Sequence, residues 1–422
     1  MDSVRLRALE IPRVEGHLEV ELFTDEKGVV KDVRVAALEG IRLIEKVVTG
    51  LKYRYVPSVT SRICGICGYA HTVCSVLAIE RALGIEVREE VKILRDVALR
   101  LNHIDSHLIH IAMMLPDVIQ DVAKYRELLR DVIILRSEVA TVAETLFGNR
   151  VHPVTLAVGG AYHIPRRSVL ENLLKKVRDL CRRYEELLRK LLDAMRGIPK
   201  VSRYGKFMAL KSHRYSVVEG IPTVNASEEI DVSKVRLILR EEARDYSTAK
   251  FCFLDGEPCS VGAFARLLTN ERNLLCEPAK KEVMNLRRDL KDYITMNLVA
   301  QVIEVIEHLN RVAQELPQIM DIAGRSIIEQ PKRDEGVGFA VVEAPRGILL
   351  HEYTVRNQVV SRCNVITPTV INLGSIERTV KELATGKSVE EIKKTVLTTV
   401  RSYDPCVSCA VHVTTLSRAR SH

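Results

Sequence analysis

Apolar and polar residues alternate near the N-terminus and then settle into helical periods. Gly16 to Leu22 alternates, Asp25-Glu26-Lys27-Gly28 is a turn sequence, and Val29 to Val35 alternates again, which predicts a β-hairpin. Ile41, Leu43, Ile44, Val47 and Val48 share a helical face, so residues 40 to 53 are expected as a helix stopped at Gly50. From Glu86 to Phe147 apolar positions recur at the helical period, interrupted near Pro116. Arg166 to Arg196 and Pro278 to Leu316 read as further long amphipathic helices, whereas residues 201 to 262 are richer in alternation and turns. Phe339 to Val342, Gly347 to Leu350 and Val365 to Thr369 read as short strands and tight loops. Two short helices, from Ile376 and from Val389, lead into a last polar cluster, Asp404-Pro405-Cys406-Val407-Ser408-Cys409-Ala410-Val411-His412.

Composition narrows the class. The chain has 422 residues, 46% of them hydrophobic, enough for a sizeable core in two or three domains or in one large domain with insertions. No run of eighteen apolar residues occurs, and the acidic Asp2 and Glu10 do not suit a signal peptide, so a soluble, unsecreted chain is expected. The net charge is +8, but Lys and Arg are interleaved with Asp and Glu, as in Lys175-Lys176-Val177-Arg178-Asp179. That pattern is a solvated helix face, not a nucleic-acid groove. Of the ten cysteines, Cys74, Cys181, Cys252, Cys259, Cys276 and Cys363 are scattered singly and read as reduced thiols, most of them among apolar neighbours.

The remaining four form two CxxC pairs, Cys64 with Cys67 and Cys406 with Cys409, each followed by an imidazole, His71 or His412. Thiolate and imidazole select nickel, iron, zinc or copper over magnesium or calcium. The pairs lie far apart in sequence, so a folded core must bring them together, and closing a long loop costs little more entropy than closing a moderate one. Spacing alone leaves a structural zinc site, a redox dithiol and a nickel centre open. His103, His107 and His110 share a helix face, but no carboxylate or thiol stands beside them at helical spacing, which points to packing beside a buried polar site. Gly336-Val337-Gly338 lacks the third glycine of a dinucleotide loop. The polar cluster Arg13-Val14-Glu15-Gly16-His17 reads, on local grounds, as the start of the first hairpin strand.

Taken together, Arg62-Ile63-Cys64-Gly65-Ile66-Cys67 with His71, and Asp404-Pro405-Cys406-Val407-Ser408-Cys409 with His412, resemble the two signature motifs of the large, catalytic subunit of nickel-iron hydrogenases. Arg13-Val14-Glu15-Gly16-His17, Ser106-His107 with His110, Glu343-Ala344-Pro345-Arg346-Gly347 and Ile366-Thr367-Pro368-Thr369 agree, in order, over nearly the whole chain. The resemblance implies a mainly α fold with smaller α+β regions, a central bundle of long helices around a buried metal site. It divides one large-subunit domain over 1–422 into an N-terminal hairpin region (1–60), a helical core (61–200 and 263–334), a mixed insertion (201–262), a metal-site region (335–412) and a removable extension (413–422).

It also implies roles. Cys64, Cys67, Cys406 and Cys409 would bind nickel, with Cys67 and Cys409 bridging to an iron that carries carbon monoxide and cyanide. Heterolytic cleavage of dihydrogen needs a base near the metal, and Cys406 and then Glu15 would move the proton. Arg346 would lie over the open metal position, Asp404 would pair with it or with a neighbour, and Asp117 is either part of the same canopy or a helix-end surface residue. His71, Leu349, Pro368 and Thr369 would surround the cofactor. Glu45, the Val365 carbonyl and His412 would hold magnesium or a second iron. No iron-sulfur spacing appears among the other cysteines, so an iron-sulfur small subunit and further electron-transfer subunits are expected. Maturation would involve nickel-insertion proteins and a protease that cuts after His412, in the cytoplasm, with no nucleic-acid partner and no direct membrane span. The alternatives are a complex I-like redox scaffold and a four-cysteine zinc protein.

Overall fold

The structure is a computed structural model that describes residues 5–411. Its first sheet is antiparallel, β1 (Arg5–Glu10), β2 (Leu18–Thr24) and β3 (Val30–Ala37), in that order. The hairpin β2–β3 follows the alternation, with every second residue of β2 buried. Asp25 closes its turn by accepting the N–H groups of Lys27 and Val29, both at 3.0 Å. β1 adds a third strand whose side chains are almost all exposed, so no burial alternation marks it in the sequence.

The helix expected over residues 40 to 53 is reduced to α1 (Ile44–Val47). The Arg42 N–H donates to the Val411 carbonyl at 3.0 Å and Leu43 is left-handed at φ +53°, so pairing with the C-terminal segment replaces the first helical turn. After α2 (Val56–Thr60) come the long helices α3 (Gly68–Leu83), α4 (Glu89–Val118) and α5 (Val122–Phe147). Pro116 sits in the last turn of α4, and Asp121 caps α5 by accepting from the Ala123 and Lys124 N–H groups at 2.8 and 3.0 Å. Beyond the two-residue strands β4 (Leu156–Ala157) and β5 (Gly160–Ala161), the helix expected from Arg166 to Arg196 is two helices, α6 (Arg167–Arg183) and α7 (Glu185–Arg196). They part at Tyr184, whose hydroxyl is tied to Glu138 of α5 at 2.6 Å.

Residues 206–260 supply the strands β6 (Lys206–Lys211), β7 (Ile221–Val224), β8 (Glu228–Glu229), β9 (Leu239–Glu242), β10 (Phe251–Leu254) and β11 (Glu257–Ser260), with α8 (Val232–Ile238) between β8 and β9. They form a six-stranded sheet of order β8-β7-β6-β11-β10-β9. After α9 (Ala263–Asn270), the helix expected from Pro278 to Leu316 breaks into α10 (Glu277–Asp292) and α11 (Asn297–Glu315). The break is a tertiary pairing: Tyr293 is extended and bridges Ser202, and the Ile294 N–H donates to the Val201 carbonyl at 2.9 Å. α11 packs along α4, and the two form the centre of the helical core.

The short strand β12 (Ile327–Ile328) extends the β4–β5 sheet, and the C-terminal region is an antiparallel meander, β13 (Gly336–Ala344), β14 (Gly347–Arg356) and β15 (Val359–Ile366). A Cβ on Gly338 would lie 1.9 Å from the Ala78 carbonyl oxygen of α3, so this glycine allows a strand backbone to rest on a helix backbone. β15 stops at Ile366, short of the expected Thr369, because Pro368 and Thr369 form the first turn of α12 (Pro368–Ala384). α12 thus begins about two turns earlier than Ile376. α13 (Val389–Ser402) and the short α14 (Val407–Ala410) complete the described chain, in which no helix is long and apolar enough to cross a membrane.

Candidate metal centre

The first cysteine pair lies where a 3-10 turn, Ser61–Ile63, passes into α3. Cys64 is extended and accepts the Ile66 and Cys67 N–H groups at 3.3 and 3.2 Å. Cys67 is the N-cap residue of α3, where the partial positive charge of the helix end favours a thiolate. Gly68 opens the helix because a Cβ there would lie 2.5 Å from the Val151 carbonyl oxygen.

The second pair is delivered by a strained turn. Asp404 is left-handed at φ +53° and Pro405 follows it. Cys406 then forms a parallel bridge with Glu15, and its N–H donates to Thr369 Oγ1 at 3.0 Å. Cys409 arrives one turn later on α14. As a result Cys64 Sγ is 3.3 Å from Cys406 Sγ, Cys67 Sγ is 3.3 Å from Cys409 Sγ, and the Cys406 and Cys409 sulfurs are 2.9 Å apart. All four are buried, reduced, and within 4.8 Å of one another.

Four buried thiols this close cannot all ionise unaided. Hydrogen bonding with Cys406 holds Cys67 well above its ordinary value, and burial does the same for Cys409. Burial also opposes ionisation of Cys64 and Cys406, but hydrogen bonds from the other thiols hold Cys64 well below its usual range, and the bond from Cys409 brings Cys406 down to about 7. A bound cation resolves the conflict by stabilising thiolate on all four.

Two side chains flank the cluster. Glu15 Oε2 accepts from Cys406 Sγ at 3.0 Å and from the Ser408 N–H at 3.1 Å, while the Ser408 hydroxyl donates to Oε1. Burial, reinforced by the Cys406 charge, raises Glu15 to about 7. On the other side Pro345 and Arg346 form the β13–β14 turn. Arg346 Nε donates to the Asp404 carbonyl at 2.8 Å and Nη2 pairs with Asp404 Oδ1 at 3.0 Å.

A family model described as nickel-dependent hydrogenase matches residues 42–116 and 215–412, and one described as HoxL-like matches residues 10–39. The chain is 33% identical to sulfhydrogenase 2 subunit alpha of Pyrococcus furiosus over 96% of its own length and 98% of that protein's. The chain belongs to the nickel-dependent hydrogenase family. It is also 27% identical to the coenzyme F420 hydrogenase subunit alpha of Methanothermobacter thermautotrophicus, over 97% of this chain and 95% of that one. A solved NAD+-reducing [NiFe]-hydrogenase in the H2-reduced state superposes with a TM-score of 0.83 at 25% identity, covering 98% of this chain and all of that one. The Ni-Fe-Se hydrogenase of D. vulgaris Hildenborough shares the fold, with a TM-score of 0.81 at 22% identity over 97% of this chain and all of that one.

The hydrogenase site fits a metal group on its own geometry. Besides the four thiols, Arg346 Nη1 is buried without a hydrogen-bond partner among the described residues, a donor that an acceptor group in the site would satisfy. Leu349, on β14, and Pro368 and Thr369, at the start of α12, are buried. His71 lies on α3 with its Nδ1 3.1 Å from His351 Nε2, and His351 Nδ1 is 2.7 Å from the Tyr353 hydroxyl. Glu45 is 2% exposed rather than on a helix surface, and its Oε1 accepts the Val365 N–H at 2.8 Å. His412 lies outside the described residues. Asp117 pairs not with Arg346 but with Arg13 at 2.5 Å and Arg401 at 3.0 Å.

Of the three α4 histidines, His103 meets Glu304 and His308 in a buried group of metal-like spacing. Glu304 has no oxygen lone pair to offer, because Arg266 Nε and Nη2 donate to it at 2.7 Å each, His107 Nε2 at 2.8 Å, and the Tyr215 hydroxyl as well. The group is a packed polar network behind the Arg346 turn. Sequence reasoning missed Ser408, Gln301 and His351 as members of the site's surroundings. The positions of Leu349, His351 and Tyr353, two apart on β14, were the available signal for the last.

Proposed function

We propose that this chain is the catalytic large subunit of a nickel-iron hydrogenase that cleaves dihydrogen heterolytically and reversibly at the four-thiol site. The observation that carries this reading is the 3.0 Å contact between Glu15 and Cys406 inside the thiol cluster, a base next to a candidate metal ligand. Cys64, Cys67, Cys406 and Cys409 would hold nickel, and Cys67 and Cys409 would share it with an iron carrying carbon monoxide and cyanide. When bound, the metals would supply the Lewis-acid and redox capacity that polarises dihydrogen and takes up its electrons. Cys406 Sγ receives the proton and Glu15 Oε2 takes it at hydrogen-bond range. Glu15 is only partly buried, so its carboxylate spans the cluster and the surface. Arg346, held by Asp404, presents fixed positive charge. Leu349, Pro368, Thr369 and His71 would enclose the iron and its diatomic ligands. Glu45, the Val365 carbonyl and His412 would hold magnesium or a second iron.

Electrons need a separate exit. Among the described residues the other six cysteines form no group of three or more potential ligands, which supports transfer to an iron-sulfur small subunit. The relatives' designation as alpha subunits supports a multi-subunit assembly. Further electron-transfer subunits, nickel-insertion proteins and a cytoplasmic location belong to the same reading. So does proteolysis after His412 that removes Val413 to His422, residues outside those described. Elemental analysis and infrared spectroscopy of the purified complex test the function: nickel and iron in comparable amounts with carbon monoxide and cyanide stretches are expected. Zinc alone, or no metal, overturns it.

A further inference from the structure

Asp404 is held from two sides. Its Oδ1 accepts from Arg346, and its Oδ2 accepts from Gln301 Nε2 at 3.1 Å, from the face of α11. Gln301 Oε1 lies 2.6 Å from His110 Nδ1 on α4, and His110 Nε2 lies 2.8 Å from the Arg401 carbonyl at the end of α13. Asp404, Arg346, Gln301 and His110 are each at most 5% exposed as whole residues.

Gln301 turns its NH2 toward Asp404 and its oxygen toward His110, and the other ring nitrogen of His110 meets the Arg401 carbonyl. One amide thus ties Asp404 to a histidine that is itself seated on the end of α13.

We propose that His110 and Gln301 form a positioning clamp on Asp404. The Arg401 guanidinium turns away to Asp117 and to the Pro12 carbonyl, and Arg346 stands on the far oxygen of Asp404, so the second oxygen is left to the amide of Gln301. The clamp acts through Asp404 in two ways. It fixes the carboxylate that orients Arg346 over the thiols, and, because the Asp404 N–H also donates to the Arg401 carbonyl at 2.8 Å, it holds the left-handed turn that delivers Cys406. His110 and Gln301 are positioning residues for the hydrogenase reaction and rest on that reading of the site.

The test has two arms. In the full chain, Gln301→Glu is expected to cost the Asp404 N–H, which donates to the Arg401 carbonyl in the clamped turn, its protection from amide hydrogen exchange, and Gln301→His to restore part of it. Wild-type protection in Gln301→Glu overturns the proposal. In the metal-loaded complex, Gln301→Glu keeps the side-chain shape but presents an acceptor to Asp404. It is expected to lower kcat by up to about 100-fold at unchanged KM for dihydrogen, the scale of loss when a reacting group is displaced by an ångström. Gln301→His, which can donate to Asp404, should recover part of that loss. Gln301→Glu with wild-type kcat overturns the proposal. A wild-type complex without nickel or turnover removes the functional reading, while amide exchange at Asp404 still decides the clamp.

Discussion

The Glu15 carboxylate stands 3.0 Å from the Cys406 thiol across 391 positions of sequence, because the start of the first hairpin and the last turn of the described chain pair backbone to backbone. The Val407 N–H donates to the Glu15 carbonyl at 2.8 Å, so the base is carried to the metal site by the main chain rather than by a flexible side chain.

On the proposed reading, Glu15 takes the proton from Cys406 across that contact. Glu15→Gln keeps the shape and removes the exchangeable proton site. Nickel and iron content should be unchanged, while dihydrogen turnover falls by on the order of 10²- to 10⁴-fold. Turnover at the wild-type rate takes Glu15 out of the relay.

The pH profile follows from the raised Glu15 pKa. The ionised carboxylate accepts a proton; the protonated one cannot. With the midpoint brought up to about 7, chiefly by burial, dihydrogen oxidation should rise with pH through about 7 and fall below it, and the reverse reaction should gain on the acid side. Initial rates in both directions between pH 5 and 9, about two units either side, check this. An oxidation rate flat through 7 contradicts it.

Ser408 tunes the same group. Its hydroxyl and N–H hydrogen bonds both favour ionised Glu15. Ser408→Ala removes the hydroxyl and keeps the N–H, so the acid limb of the oxidation profile should move to higher pH with metal content intact. A shift to lower pH rejects this assignment.

The buried pair behind the Arg346 turn is a stability element. The Arg266 charge overcomes burial and holds Glu304 well below the usual carboxylate range. Glu304→Leu leaves the Arg266 guanidinium buried with Glu343 as its one remaining carboxylate partner among the described residues, at 3.2 Å. Unfolding by denaturant should show a loss of about 3–5 kcal/mol. A loss below about 1 kcal/mol would mean that Glu343 substitutes fully.

Much of the site was legible because metal chemistry restricts residue type. Only Cys64, Cys67, Cys406 and Cys409 occur as close thiol pairs; Asp404 lies in the second motif, and Glu15 and Arg346 lie in the separate motifs Arg13 to His17 and Glu343 to Gly347. Glu45 was less so: nothing local distinguishes a carboxylate on a helix surface from one buried against the Val365 N–H. Gln301 and His110 lie on ordinary amphipathic helices, and their contact with Asp404 exists only where α4, α11 and the C-terminal turn meet.

The sequence by itself determined the two thiol pairs, the long amphipathic helices and the β2–β3 hairpin, since thiol spacing and hydrophobic period are local properties. The tertiary structure alone decided where helices break and which polar groups face each other. Tyr184 and Tyr293 end their helices through distant partners, the helical turn expected before Ile44 is lost where Arg42 pairs with Val411, and His110 meets both of its partners on other elements. A buried donor must find its acceptor wherever the fold places it, and that requirement is written in no single stretch of the chain.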